Sequence, residues 1–167
     1  LIARGAEVII ITTHGSGAAA VDAAAAAGVK VIAHDRMSKS DTNVADFYTT
    51  FNSWNVGKAQ GQHLVDMAIA NGASPTNKVD LAIFAGRTAD WPNATYFFGG
   101  AMEVIQPKLD HFNIITPNAA AVNGLALYTE ATFNEAARTA LQAAMSTVDT
   151  DWNPEEAANK ASALVAS

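Results

Sequence analysis

The sequence predicts an α/β fold with two parallel-sheet units in tandem. Short apolar runs typical of buried strands alternate with alanine-rich helical segments, the turns between them are short, and the alternation starts again after a long helix. Parallel strands joined by helical crossovers produce this order, because the chain must return along the sheet between successive strands.

In the first unit, an alanine-rich helix is predicted over residues 18–27, and Gly28 ends it. The flanking runs are rich in Val and Ile, and a third run combines aromatic and β-branched residues, which favours strands. The first sheet is therefore expected to contain parallel strands at about 8–11, 31–33 and 47–51.

The second unit is expected to open with a long helix that Asn52 and Ser53 cap and that ends at Asn71-Gly72. A helix at 93–105 and an alanine-rich helix after the capping-box sequence Thr132–Glu135 follow. Strands at about 79–84, 112–116 and 163–166 are expected to form a second parallel sheet.

Composition limits the classes of function. The chain has 167 residues, half of them hydrophobic, no cysteine and a net charge of −6, which predicts a globular chain without disulfides or thiolate metal sites. The basic residues are scattered, so we expect no nucleic-acid partner. No apolar run approaches the ~20 residues of a membrane helix, and the start lacks a signal-peptide pattern. Both ends look internal, so we expect a piece of a longer protein.

The first candidate site lies where the strand near 31–33 ends at His34, Asp35 and Arg36. Open α/β sheets bind ligands at the carboxyl ends of their strands. A carboxylate beside a guanidinium offers both acceptors and donors, which suits a ligand rich in hydroxyl groups, such as a sugar. The structural alternative is that Asp35 and Arg36 only cap a helix or pair with each other.

Enzymatic chemistry has no support in the sequence. Around Ser16 the Gly-x-Ser-x-Gly spacing fails, because His14 and Ala18 occupy its outer positions. The four histidines lack zinc-site spacings, and there is no phosphate-binding Gly-Lys-Ser/Thr loop. We therefore predict no catalytic residues, no metal and no cofactor. His14 is a candidate ligand contact at a strand end, with a surface position as the alternative.

Several stretches resemble the sugar-binding proteins of bacterial ABC importers, in particular the xylose-binding branch of the ribose-type family. The resemblance spans nearly the whole chain and is densest from residue 1 to 61. The segments that carry it are Leu1–Ile11, Val31–Met37, Asp46–Asn52 and Val56-Gly57. It implies the type I periplasmic binding protein fold, with two Rossmann-like lobes that are both incomplete here. Residues 1–51 would belong to the first lobe and 52–167 to the second, with a hinge crossing near 51–53.

The resemblance also implies ligand contacts. The Asp35-Arg36 pair would bind sugar hydroxyls from the first lobe, and the loop Asp90–Ala94, with Asp90 and Asn93 at the ligand positions, would do so from the second. Asn93 could instead be only a helix N-cap. An aromatic ring usually stacks on the sugar in this family; the candidates are Trp91, Tyr128 and Phe133, with core packing as the alternative for each.

The implied function is capture of a monosaccharide, a xylose-like pentose or a related hexose, in a cleft between the lobes and its delivery to the membrane permease subunits of an ABC importer. The protein would be a monomer, periplasmic or extracellular, either free or lipid-anchored to the membrane. The alternative is the core of a sugar-responsive transcriptional repressor of the same fold, whose DNA-binding domain would precede Leu1.

Overall fold

The computed structural model describes residues 1–12, 17–90 and 93–165. The chain divides into two compact units, Leu1–Asn52 and Ser53–Ser167. Each unit contains a parallel β-sheet with helices that follow its strands, which confirms the predicted α/β class.

The first unit contains a three-stranded parallel sheet whose strands lie side by side in their order along the chain. In register, Ile11 lies beside Ala33, and Ala33 lies beside Tyr48. The elements are a 3₁₀ helix at Ile2–Arg4, β1 at Val8–Ile11, α1 at Gly17–Ala26, β2 at Lys30–His34 and β3 at Phe47–Thr49.

Alternation along the strands decides which face of this sheet is buried. Ile11, Val31 and Ala33 form the core of the unit with Val21 and Ala24 of α1. Helix α1 reaches β2 through a tight turn at Gly28, whose φ of 66° lies in the left-handed region that favours glycine. On the opposite face, Ile32 lies in register between Ile10 and Phe47. Ile10 and Phe47 are exposed.

The second unit contains a two-stranded parallel sheet in which Val79 pairs with Phe112. Beyond the first strand, Ala85 forms a further parallel bridge with Asp149. The helices and strands are α2 at Ser53–Ala70, β4 at Val79–Leu81, α3 at Asn93–Ile105, β5 at Phe112–Ile114, α4 at Ala119–Asn123, α5 at Glu135–Ser146 and α6 at Pro154–Val165, and 3₁₀ helices lie at Gln106–His111 and Glu130–Thr132.

The strand predicted at 163–166 is wrong, because residues up to Val165 form the last turn of α6. The helix is capped at its N-terminus by Asn153. The side-chain oxygen of Asn153 accepts hydrogen bonds from the backbone N–H groups of Glu155 and Glu156 at 2.9 and 3.3 Å. An ion pair one turn further on joins Glu156 to Lys160 at 3.1 Å. Such caps and i,i+4 pairs favour helix over strand for an ambiguous apolar run.

The predicted start of α5 also needs correction. The residue that caps this helix is Asn134, whose side-chain oxygen accepts the N–H of Ala137 at 3.0 Å. Thr132 instead belongs to a separate capping box with Thr129, around the short 3₁₀ helix at Glu130–Thr132. The preceding segment also contains a short helix, α4 at Ala119–Asn123.

Helices α2 and α3 cross with their backbones in direct contact. A Cβ atom at Gly57 would overlap the carbonyl oxygen of Phe97, and one at Gly100 would overlap that of Trp54. At Gly61 it would lie 2.6 Å from the carbonyl oxygen of Ala101. Glycine is therefore required on both helices for this crossing.

Glu103 of α3 ties the same helix pair together through polar contacts. Its carboxylate accepts hydrogen bonds from Trp54 Nε1 at 2.5 Å, from Lys58 Nζ at 2.8 Å and from the backbone N–H of Glu130 at 3.2 Å. Burial would raise the pKa of Glu103, but the hydrogen bonds from Lys58 and Trp54 outweigh burial and lower this pKa. The carboxylate therefore stays ionised inside the unit.

We expect Gly57→Ala to destabilise the full-length protein by at least ~2 kcal/mol, because the added methyl group meets backbone that cannot rotate away. Equilibrium denaturation measures this change in the free energy of unfolding. The control is His63→Ala, on an exposed position of the same helix, which should change stability by less than ~0.5 kcal/mol. Equal stability of Gly57→Ala and wild type would contradict the helix contact.

Glu103→Gln should lower stability at neutral pH by ~1–3 kcal/mol, because it removes the charge that Lys58 and Trp54 stabilise. The pKa of Glu103 lies below its usual value of 4.5 in the folded protein, so the advantage of wild type should persist above pH 4.5 and disappear as the pH falls through the folded pKa. Denaturation from about pH 7 to about pH 3 tests this. The exposed Glu135→Gln serves as control, and a pH-independent difference would refute the assignment.

Candidate functional site

The first candidate edge lies at the carboxyl ends of β2 and β3. Asp35 follows β2 with a φ of 64°, in the left-handed region that Asp adopts more readily than most residues. Its N–H donates to the carbonyl oxygen of Thr49 at 2.8 Å, and its own carbonyl oxygen accepts the Tyr48 hydroxyl at 3.2 Å. His34 Nδ1 contacts Thr49 Oγ1 at 2.9 Å. The backbone at Asp35 is thus fixed from both sides.

Asp35 and Arg36 are brought together as the sequence predicts. Arg36 Nη1 lies 2.9 Å from Asp35 Oδ2, and the side chains are 21% and 38% exposed, respectively. Partly exposed ion pairs between neighbours contribute only ~0–1 kcal/mol to folding. The pair agrees with the structural alternative, yet it also gives the edge an oriented carboxylate and a planar donor group.

The loop that leaves this edge is anchored by two carboxylates. Asp22 of α1 accepts hydrogen bonds from Ser40 Oγ at 2.6 Å and from Asn43 Nδ2 at 2.7 Å, and these bonds lower the pKa of Asp22. Asp46 accepts from Lys30 Nζ at 2.6 Å, a bond that likewise lowers the pKa of Asp46. The chain from Arg36 to β3 is therefore held to α1 and β2 rather than extended into solvent.

The second candidate edge follows β4 and combines two loops, 86–90 and 149–153. The N–H of Thr88 donates to Asp149 Oδ2 at 2.6 Å, and Arg87 Nε lies 3.1 Å from Asp151 Oδ1. Burial would raise the pKa of Asp149, but the hydrogen bonds from Thr88 outweigh it and lower that pKa. The two loops are thus joined side by side at the carboxyl end of the strand.

Asp90, a predicted ligand residue, lies on this second edge. Its Oδ2 accepts a hydrogen bond from Trp152 Nε1 at 2.9 Å. The Trp152 ring covers Gly86, meets Phe97 edge-on with centroids 6.5 Å apart, and the residue is 43% exposed. Trp152 was not among the predicted residues, although a large aromatic residue in the polar segment 149–153 was a usable signal.

The remaining predicted contacts have different surroundings. Asn93 is 2% exposed and begins α3, which favours its structural alternative. Tyr128 and Phe133 pack against Trp54 with ring centroids 5.9 and 4.9 Å away, which supports core packing. His14 and Trp91 lie outside the described residues.

A cavity of about 390 Å³ lies within the second unit, beside β4. Its walls come from α2, α3, the segment 81–86 and Trp152, and they are mostly apolar, as at Leu64, Phe98 and Met102. A sugar needs several polar partners, so this cavity is poorly matched to one.

Within the described part of the chain, no group of three His, Cys, Asp or Glu side chains is arranged to hold a metal ion. Among the described helices, none combines the length and the apolar character that crossing a membrane requires.

Two curated relatives have matching sequences. The multiple sugar-binding periplasmic protein SbpA of Azospirillum brasilense is 37% identical over 114 residues, which is 66% of this chain and 30% of SbpA. The multiple sugar-binding periplasmic receptor ChvE of Rhizobium radiobacter is 38% identical over 90 residues, 53% of this chain and 24% of ChvE. The matched region is therefore under a third of the length of either relative.

Two solved structures share the fold. A carbohydrate transporter solute binding protein from Chloroflexus aurantiacus, in complex with D-glucose, aligns with a TM-score of 0.72 and 37% identity, over 99% of this chain and 45% of that one. An ABC transporter solute binding protein from Clostridium phytofermentans with bound β-D-glucose aligns with a TM-score of 0.67 and 27% identity, over 99% and 44%.

The four names describe binding or transport proteins and not enzymes, in agreement with the prediction of no catalytic role. The family described as a periplasmic binding protein domain matches residues 1–167. With the parallel-sheet units and the structural alignments, this match shows that the chain belongs to the periplasmic binding protein domain family.

Proposed function

We propose that this chain is part of a solute-binding protein that captures a monosaccharide and delivers it to a bacterial ABC importer. The observation that carries the proposal is the Asp35-Arg36 pair, fixed at the carboxyl end of β2. The relatives named as sugar-binding and the glucose-bound structures support the same class of ligand.

The chemistry of the pair fits an uncharged polyhydroxyl ligand. The Asp35 carboxylate accepts hydrogen bonds from hydroxyl groups, and the Arg36 guanidinium donates to hydroxyl or ring oxygens. Because the two charges already compensate each other, a neutral sugar binds without leaving an unpaired ion. Asp90 would supply a further acceptor from the second unit, and the contacts of Asn93, His14 and Trp91 stay predictions.

The ligand we propose is an aldose of five or six carbons. The resemblance to the xylose-binding branch favours a pentose, whereas the two aligned structures contain glucose. These sugars differ by one hydroxymethyl group, so a pocket sized for a hexose would also admit a pentose. A titration series of both classes decides between them.

The setting we propose is a bacterial periplasm or cell surface, supported by two relatives named as periplasmic. The units Leu1–Asn52 and Ser53–Ser167 would each belong to one sugar-binding lobe, with the hinge near 51–53. A monomer carrying sugar would then be recognised by the permease subunits. The repressor alternative is disfavoured, because the relatives are named for periplasmic binding or transport.

We expect Asp35→Ala to weaken sugar binding by the full-length protein by at least ~100-fold. A charge-assisted hydrogen bond contributes ~1.5–3 kcal/mol, and its loss leaves buried sugar hydroxyls unpaired, where each 1.4 kcal/mol is about tenfold in affinity. Calorimetric titration with glucose, galactose, xylose, arabinose and ribose measures the effect and identifies the sugar.

The matched control is Asp41→Ala, which removes an exposed carboxylate from the same loop. It should bind the sugar with wild-type affinity. Wild-type affinity in Asp35→Ala would remove this edge from the binding site, and failure of the unaltered protein to bind any aldose would refute the proposed function.

A further inference from the structure

We propose that Thr116 and Asn118 are positioning residues for the second candidate edge, which set its affinity for sugar without contacting the sugar. Their buried side chains form a chain of hydrogen bonds, the Thr116-Asn118 relay, that joins the segment after β4 to the end of α5. The inference rests on the proposed function and deepens it, because it concerns the residues that hold that site in shape.

Strand β4 and the residues after it pair with two different segments in succession. The ladder with β5 ends at Leu81. Further along, the N–H of Ala85 donates to the carbonyl oxygen of Val148 at 3.1 Å. The carbonyl oxygen of Ala85 accepts the N–H of Thr150 at 3.0 Å and the Thr150 hydroxyl at 2.7 Å. Both loops of the second edge start at this pairing, so their relative position depends on how the partners of the strand are exchanged.

The Thr116-Asn118 relay lies where the partners change. Ile83 is buried between the two pairings, and its N–H donates to Thr116 Oγ1 at 3.3 Å. The Thr116 hydroxyl donates in turn to Asn118 Oδ1 at 2.7 Å, and Asn118 Nδ2 donates to the carbonyl oxygen of Ala144 at 3.1 Å. Thr116 and Asn118 are each 2% exposed. Because Ala144 lies near the end of α5, the relay connects the first loop of the edge to the chain that leads into the second.

The relay fits one arrangement of its two ends. The Thr116 hydroxyl has a single hydrogen, which it donates to Asn118 while its oxygen accepts from Ile83. The Asn118 amide uses its oxygen for Thr116 and its NH₂ group for Ala144. A shift of either end would leave a buried donor or acceptor unpaired, which is costly. The relay therefore holds the two loops in one relative position, and a site held in this way loses less freedom when it binds.

The alternative is that the relay contributes only to stability, as a fully paired buried network can. Any variant that still folds would then keep the second edge and its affinity for sugar. Positioning predicts instead that affinity falls in the folded protein, because the two loops no longer hold their relative position.

A double-mutant cycle on the full-length protein separates these roles. Thr116→Val keeps the shape of the side chain but removes the hydroxyl, and Asn118→Leu removes the amide at similar size. Titration with D-glucose and D-xylose should show a loss of about tenfold for each variant, and the combined variant should bind within about threefold of the weaker single one. Thr116→Ser, which restores the hydroxyl, should bind within about threefold of wild type.

The matched control is Val65→Ala, which truncates a core side chain of α2 in the same unit. It should lower the melting temperature as the relay variants do, yet keep wild-type affinity. Amide NMR signals give a second readout: the Ala85 and Thr150 N–H groups should shift in Thr116→Val and stay in place in Val65→Ala, because only the relay variant alters the pairing.

Wild-type affinity in folded Thr116→Val or Asn118→Leu would overturn the proposal. So would losses that multiply in the combined variant, or an equal loss of affinity in Val65→Ala. Thermal unfolding checks that each variant is folded, and if Asn118→Leu is not, the comparison of Thr116→Val with Thr116→Ser decides. An unaltered protein that binds neither sugar would refute the proposed function itself, a result distinct from every outcome of the cycle.

Discussion

The contact between α2 and α3 organises the second unit, and it depends on the absence of three side chains. Gly57, Gly61 and Gly100 allow the two backbones to touch, which leaves Trp54 and Glu103 facing each other across the crossing. The ionised Glu103 then fixes the chain at Glu130, far along the sequence. Because α3 begins immediately after the loop that carries Asp90, the same contact also anchors one end of the second candidate edge.

Most of the strands were predictable because their signals are local. A run such as Val8–Ile11 carries its β-branched content within four residues, and the left-handed turn at Gly28 lies directly before β2. The strand predicted at 163–166 was wrong, because a short apolar run fits a strand or a helix equally well, and the residues up to Val165 are helical. Asn153, ten positions before this run, caps the helix, and the helix then continues through the run.

The contacts of the first candidate edge were predictable from the sequence, whereas the main contact of the second was not. Asp35 follows a recognisable strand and its ion-pair partner is the next residue, so the pair was predictable. Asp90 was predicted from the resemblance, but its partner Trp152 was not, because their contact depends on the bridge between Ala85 and Asp149 that aligns the two loops. Contacts across such distances are set by sheet pairing, which a local pattern does not contain.

The neutral ligand that we propose would explain why internal hydrogen bonds hold both candidate edges in place. A sugar has no net charge to draw it into a site, so affinity must come from hydrogen bonds whose partners are already in place. At Asp35 the backbone is fixed by Thr49 and Tyr48, and at Asp90 the carboxylate is fixed by Trp152. At each edge, residues with side chains adopt left-handed φ values: Asp35 at the first, and Asp151 and Trp152 at the second. Such backbone strain is expected where the orientation of a group matters more than local stability.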